Sequence, residues 1–254
     1  MLARCKIDPS IRLRRAIHAA DALLVSRILK SHPSLLHNPD STTIEPPGLS
    51  NTSLHLASKL GHLPIVEVLL SLGHESGGIS LNEDHQTPLM LASAAGHTEV
   101  VHLLCTANPE SIPKRDSRGR DAIMEASRCG HDTCLQILLT FAPSSSSAPS
   151  FDPASLLKNA DVDGNTALHF ASSNGHLLVL RTLLAAGADS ERRNVWSWTP
   201  VAYSATVQAE VYFKGLVAEV ERRKTIRREA AQDRASAVGT PGGVRLVGDN
   251  HEDP

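Results

Sequence analysis

The chain has 254 residues, a formal net charge of −2 and only 3% aromatic residues. A balance so close to neutral gives no overall pull towards nucleic acid or acidic lipid, and no apolar run approaches the roughly 18 residues of a membrane span. Met1-Leu-Ala-Arg-Cys-Lys6 lacks the apolar core of a signal segment, so a soluble intracellular chain is expected. Cys5, Cys105, Cys129 and Cys134 form no CxxC pair and suggest no disulfide framework.

A weak first helical unit runs over residues 11–37, through Leu13, Ala16 and Asp21, after an N-terminal segment of residues 1–10. Residues 38–50, with their prolines and Gly48, read as a loop. Four stronger copies follow. Thr52-Ser-Leu-His-Leu-Ala57 leads to Gly61-His62, Thr87-Pro-Leu-Met-Leu-Ala92 to Gly96-His97, Asp121-Ala-Ile-Met-Glu-Ala126 to Gly130-His131, and Thr166-Ala-Leu-His-Phe-Ala171 to Gly175-His176. Thr199-Pro-Val-Ala-Tyr-Ser204 opens a sixth, in which Gln208-Ala209 replace Gly-His. Where nothing is inserted, the copies recur about every 33 to 35 residues.

Each copy carries the parts of a helical hairpin in order. Thr52, Thr87, Thr166 and Thr199, with Asp121, stand at N-cap positions, twice ahead of proline. His55 and His169 sit three residues inside the first helix. Gly61, Gly96, Gly130 and Gly175 end that helix, where a left-handed residue best satisfies the orphan carbonyls. A second helix then repeats apolar pairs such as Ile65-Val66 with Leu69-Leu70, and Val179-Leu180 with Leu183-Leu184, on one face. One hairpin cannot bury that face alone, so neighbours must stack.

The units span residues near 11–37, 48–80, 83–113, 117–142, 162–191 and 195–224. The Ser/Pro stretch at residues 143–153 is an expected mobile insert. Residues 225–254 form a basic then disordered tail, disorder being expected from Ala235. The charged run Glu221-Arg-Arg-Lys224 with Arg227-Arg228 reads as a solvated helix end, with contact to acidic lipid, phosphate or an import receptor as the alternative.

No arrangement of residues points to catalysis. Six of the thirteen histidines recur at repeat positions and are structural on that ground. His74-Glu-Ser-Gly-Gly78 falls in a connection rather than on a strained strand-to-helix turn. Cys129, His131 and Cys134 fall short of the four ligands a structural zinc site takes, and Cys134 occupies the slot of Ile65, Val100 and Val179. No catalytic, cofactor-binding or metal-binding residue is assigned, and no cofactor is expected.

These motifs resemble the ankyrin family over about residues 11–224. The resemblance implies an all-α solenoid of about six helix-turn-helix repeats with short hairpin connections. Binding in that architecture uses the hairpin tips and the inner faces of the first helices. Candidate partner-binding residues are therefore His85, Arg118, Arg120, Arg128, Asn174, Arg192, Arg193 and Trp196. Trp196 is expected to contact a partner, and Trp198 to fold back onto the end of the stack.

Pro9-Ser-Ile-Arg-Leu-Arg-Arg-Ala-Ile17, Pro33-Ser-Leu-Leu36, Leu72-Gly-His-Glu75 and Trp198-Thr-Pro-Val201 further resemble the fungal ankyrin-repeat accessory subunits of target-of-rapamycin complex 2. That resemblance implies a non-catalytic scaffold whose partners are other proteins, subunits of a TOR kinase complex among them. It also implies a cytoplasmic location, with the inner face of the plasma membrane reached through the complex and the nucleus as a further compartment. The alternative is a chaperone or adaptor holding a single protein client. Nucleic acid is an unsupported partner, because the basic helix lacks aromatic platforms and a base-reading element.

Overall fold

The computed structural model describes residues 7–37, 51–141 and 153–238, and every regular element among them is helical. The first unit is α1 (Pro9–His18) with α2 (Ala22–Ser31), and the second α3 (Ser53–Leu60) with α4 (Leu63–Ser71). Then come α5 (Pro88–Ala95) with α6 (Thr98–Ala107), and α7 (Ala122–Cys129) with α8 (Asp132–Phe141). After the short α9 (Pro153–Leu156), α10 (Ala167–Ser173) pairs with α11 (Leu177–Ala185), and α12 (Val207–Val238) closes the chain. Helices α1, α3, α5, α7 and α10 pack successively as an inner row, and α2, α4, α6, α8, α11 and α12 as an outer row. This is the stacked all-α solenoid implied by the repeats.

Local chemistry explains each hairpin. Thr87 and Asp121 accept from the Met90 and Met124 amides at 3.2 and 2.9 Å, while Thr166 and His169 form a reciprocal capping box. Gly61, Gly96, Gly130 and Gly175 adopt φ between 72° and 82° and end their helices. Between the rows, Leu54, Ile65, Val66 and Leu69 of the second unit are fully buried, as are their counterparts Val179, Leu180 and Leu183 in the fifth. The alanines Ala57, Ala92, Ala126 and Ala171 are also fully buried. Their small side chains let neighbouring inner helices approach closely.

The structure departs from the sequence-based expectation at three places. In the sixth unit the inner helix shrinks to a single turn, where Tyr203 N–H reaches the Thr199 and Pro200 carbonyls, so five hairpins are complete. Helix α12 does not end near residue 224 but continues to Val238. Ion pairs Lys214–Glu210, Arg222–Glu219, Arg223–Glu219 and Lys224–Glu221, at 2.6–2.8 Å, support that polar helix by a few tenths of a kcal/mol each, roughly. Finally, Pro153 starts α9 rather than belonging to a loop, and the following Leu156 and Leu157 are buried. The rest of the insert, residues 143–152, and the tail beyond residue 238 lie outside the described residues.

A proline also starts the one-turn helices at Pro33–Leu35 and Pro109–Ser111. Units one, three and five are thus each approached through a proline-led turn or followed by one, with Leu35, Ile112 and Leu156 packed on the core. The outer helices of the second and fifth units are followed by Gly73 and Gly187, both left-handed.

Candidate partner-binding face

The tips form a continuous ladder. Ser117 N–H donates to the Asp84 carbonyl at 2.8 Å, Val162 N–H to Arg118 at 3.0 Å, and Val195 N–H to Asp163 at 3.0 Å. Within each tip an Asn or Asp turns the chain: Asp116 Oδ1 accepts from the amides of Arg118 and Arg120, and Asn194 Oδ1 from those of Trp196 and Trp198. The fourth tip residue is left-handed throughout, as His85, Gly119, Gly164 and Ser197. His85 and Ser197 hold a conformation that glycine adopts at lower cost.

Histidines tie the copies together. His55 Nε2 donates to the Gln86 carbonyl at 2.9 Å and His169 Nε2 to that of Trp198 at 3.1 Å. In His169 the Thr166 amide donates to Nδ1 at 3.1 Å, which fixes the neutral imidazole with its proton on Nε2. Burial pulls the pKa of His55 down to about 4, against the opposing bond to Gln86. His97, His131 and His176 form a second series, donating to the carbonyls of Lys59, Ala94 and Arg128 one copy earlier.

The candidate residues are distributed as follows. Arg118, Arg128, Asn174, Arg192, Arg193 and His85 are exposed, and Arg120 is half-buried. Arg120 grips Asp116 through Nε and Nη2 at 3.1 and 2.8 Å and lies 2.9 Å from Glu125. Arg128 donates twice to Glu125 Oε2, at 3.0 and 2.7 Å. The structure therefore joins Arg120 and Arg128 into one charged network around a buried carboxylate. Arg193 Nη1 donates to the Ser197 carbonyl at 3.1 Å, in the tip that carries Trp196. The Asn174 amide is turned to the Phe170 carbonyl at 3.0 Å. His85 sits three units away from Trp196 and joins neither group.

Sequence reasoning missed Glu125 and Trp198. Glu125 stands where the other units have Leu56, Leu91, Phe170 and Tyr203, so the signal was a charge breaking an apolar column. Trp198 was expected to fold back, yet it is 52% exposed beside Trp196 at 53%. Its ring does meet Tyr203 edge-on, with centroids 5.9 Å apart. The two indoles, Tyr203, Ser173, Ala202 and Ser204 line an open pocket of about 530 Å³.

No group of three or more metal-ligating side chains occurs among the described residues. His131 is committed to Ala94, and Cys134 is fully buried with its thiol pushed up to about 11 by burial. No helix among the described residues is long and apolar enough to cross a membrane.

Comparison with known proteins decides the family. Residues 14–114, 54–146 and 110–194 each match the family described as Ankyrin repeats (3 copies). The chain belongs to the ankyrin-repeat family. Among curated relatives, target of rapamycin complex 2 subunit AVO2 of Saccharomyces cerevisiae is 30% identical over 219 residues, covering 85% of this chain and 47% of that protein. The putative E3 ubiquitin-protein ligase XBAT31 of Arabidopsis thaliana is 28% identical, covering 72% of this chain and 39% of the ligase. Human B-cell lymphoma 3 protein is 35% identical over 58% of the chain and 31% of its own length. This ankyrin chain thus spans about half the length, or less, of these relatives.

Proposed function

We propose that the chain is a non-catalytic protein–protein interaction scaffold and serves as an accessory subunit of a TOR kinase signalling complex. One observation carries the finer reading: the similarity to a protein named as a subunit of target of rapamycin complex 2 extends over 85% of this chain. The ladder of tips and the inner helices support the coarser one. They present a broad surface of arginine, carboxylate and aromatic side chains on rigid elements, as a partner interface requires. The likeness to the plant ligase is weaker, 28% identity over 72% of this chain, so the activity in its name is not carried over. On this reading the chain works in the cytoplasm and reaches the inner face of the plasma membrane through its complex.

Affinity purification of the tagged chain with mass spectrometry tests the proposal. Recovery of TOR kinase subunits is the expected result. Recovery of a single client protein without those subunits would make the chain a chaperone or adaptor instead.

A further inference from the structure

We infer that the pocket between Trp196, Trp198 and Tyr203 binds an extended, proline-rich peptide with an acidic flank. This deepens, and rests on, the reading of the chain as a protein-binding scaffold. Ankyrin units two to five fill the corresponding place with an inner helix of seven or eight residues. The sixth has only the turn after Thr199, which leaves Ala202 and Ser204 lining an open pocket with the aromatic rings.

The chemistry of the walls selects the ligand. Ser173 and Ser204 already donate to the Phe170 and Val201 carbonyls at 3.0 and 2.8 Å. The donors left over are the indole N–H groups of Trp196 and Trp198 and the Tyr203 hydroxyl, none of which has a side-chain hydrogen bond among the described residues. A polyproline helix supplies both complements: pyrrolidine rings to lie against aromatic faces, and carbonyls with no internal hydrogen bond to accept from the indoles. Its restricted backbone also reduces the entropy lost on docking.

Charge decides the flank. An aromatic box by itself suits a cation, but the exposed Arg192 and Arg193 lead into this tip, and Arg193 is held over it by the Ser197 carbonyl. Asp189 and Glu191, exposed just before them, carry the opposite sign, so Arg193, tied to the tip itself, is the charge that opposes a cationic ligand and favours Asp or Glu beside the prolines.

The chain has two tryptophans, both in this pocket, so intrinsic fluorescence reports its occupancy alone. The full chain is titrated with a synthetic Asp-Asp-Pro-Pro-Leu-Pro-Pro-Leu-Pro peptide, a Lys-Lys-flanked counterpart, and a version with every proline replaced by alanine. A saturable change is expected with the first, with affinity about tenfold or more above the other two. Trp196→Ala should weaken it about tenfold, read through Trp198. The paired changes Arg192→Glu and Arg193→Glu should reverse the flank preference. No saturable response, an equal response to the alanine peptide, or tighter binding of the lysine peptide overturns the assignment, and these comparisons need no variant to fold. If TOR subunits copurify while the peptides fail, only the pocket's ligand is refuted and the scaffold reading stands.

Discussion

The imidazole of His97 lies over Gly61, one unit back, and its Nε2 donates to the Lys59 carbonyl at 3.0 Å. A Cβ added at Gly61 would stand 2.4 Å from His97 Nδ1. Glycine is therefore required twice, for its left-handed φ of 76° and for the space the next copy's ring occupies. The same pairing recurs between Gly96 and His131 and between Gly130 and His176. In the first unit Ala20 takes the glycine's place at φ 57°. No ring bond from His62 back to that unit occurs among the described residues.

Gly96→Ala should therefore cost roughly 2–4 kcal/mol, strain and clash together. Gly187→Ala should cost only about 1 kcal/mol, because its φ is also left-handed but nothing lies within 4 Å of the added methyl. Urea denaturation of the two variants checks the difference. Equal losses would mean that backbone strain alone matters and the histidine contact contributes nothing.

Acid should weaken the stack through its buried histidines. The pKa values of His55 and His74 are both pulled down to about 4, in each case chiefly by burial, with His37 adding repulsion at His74. His169 is lowered too, again by burial. A base whose folded pKa lies below its unfolded value of 6.5 binds fewer protons when folded. Stability is then full above pH 6.5 and falls as pH drops from 6.5 to about 4. For His55 or His74 the loss is on the order of 3 kcal/mol. Asp121 and Glu75, raised by burial, act in the opposite sense and offset part of it. Urea midpoints at pH 7.5, 6.0 and 4.5 should decline steeply in the native chain and less so in His55→Gln. Parallel declines would exclude His55 as a source.

Legibility in the sequence followed the repetition. Caps, helix-ending glycines and the apolar columns recur, so each copy confirms the next, and the hairpins could be read from residues alone. What the histidines do across copies was not legible. Gly61-His62 looks local, whereas the bond it foreshadows joins His97 to Lys59. Exceptions were the hardest to read. Asp121 was recognisable as a cap, but its other oxygen accepts from Asn159 at 3.0 Å, a partner on the far side of the insert. The extent of α12 was hidden because its charged second half, from Glu221 on, has no apolar stripe and looks like a tail.

Glu125 gives a sharper test of how charge is held on the candidate face. It is 4% exposed at its side chain, with Arg128 on Oε2. Arg120 stands 2.9 Å from Oε1 but off the direction a hydrogen bond needs, so Oε1 lacks one. Removing a single partner from such a network leaves uncompensated cations. Glu125→Leu, which installs the residue found at Leu56 and Leu91, should cost about 1–3 kcal/mol, less than a fully buried pair because Arg128 is 41% exposed at its side chain. Adding Arg128→Ala should recover part of that loss, since Asp116 still holds Arg120. Thermal melts of the single and double variants decide it. An unrecovered double variant would mean that the leucine misfits sterically and that the stranded charge is not the cause.

Helix α12 should divide energetically into a packed half and a projecting half. Phe213 is fully buried, and Leu216, Val217 and Val220 pack partly on the same core. From Glu221 to Ala230 every residue is exposed. Phe213→Ala removes a large core side chain at the end of the stack and should cost about 3–5 kcal/mol, fraying α11 first because its outer neighbour loosens. Arg227→Pro breaks the helix within its exposed stretch, so it should lower helicity while leaving stack stability within about 0.5 kcal/mol. Circular dichroism gives the helicity, and hydrogen exchange at Val179–Leu184 gives the local stability. Loss of protection there in Arg227→Pro would show that the projecting half braces the stack.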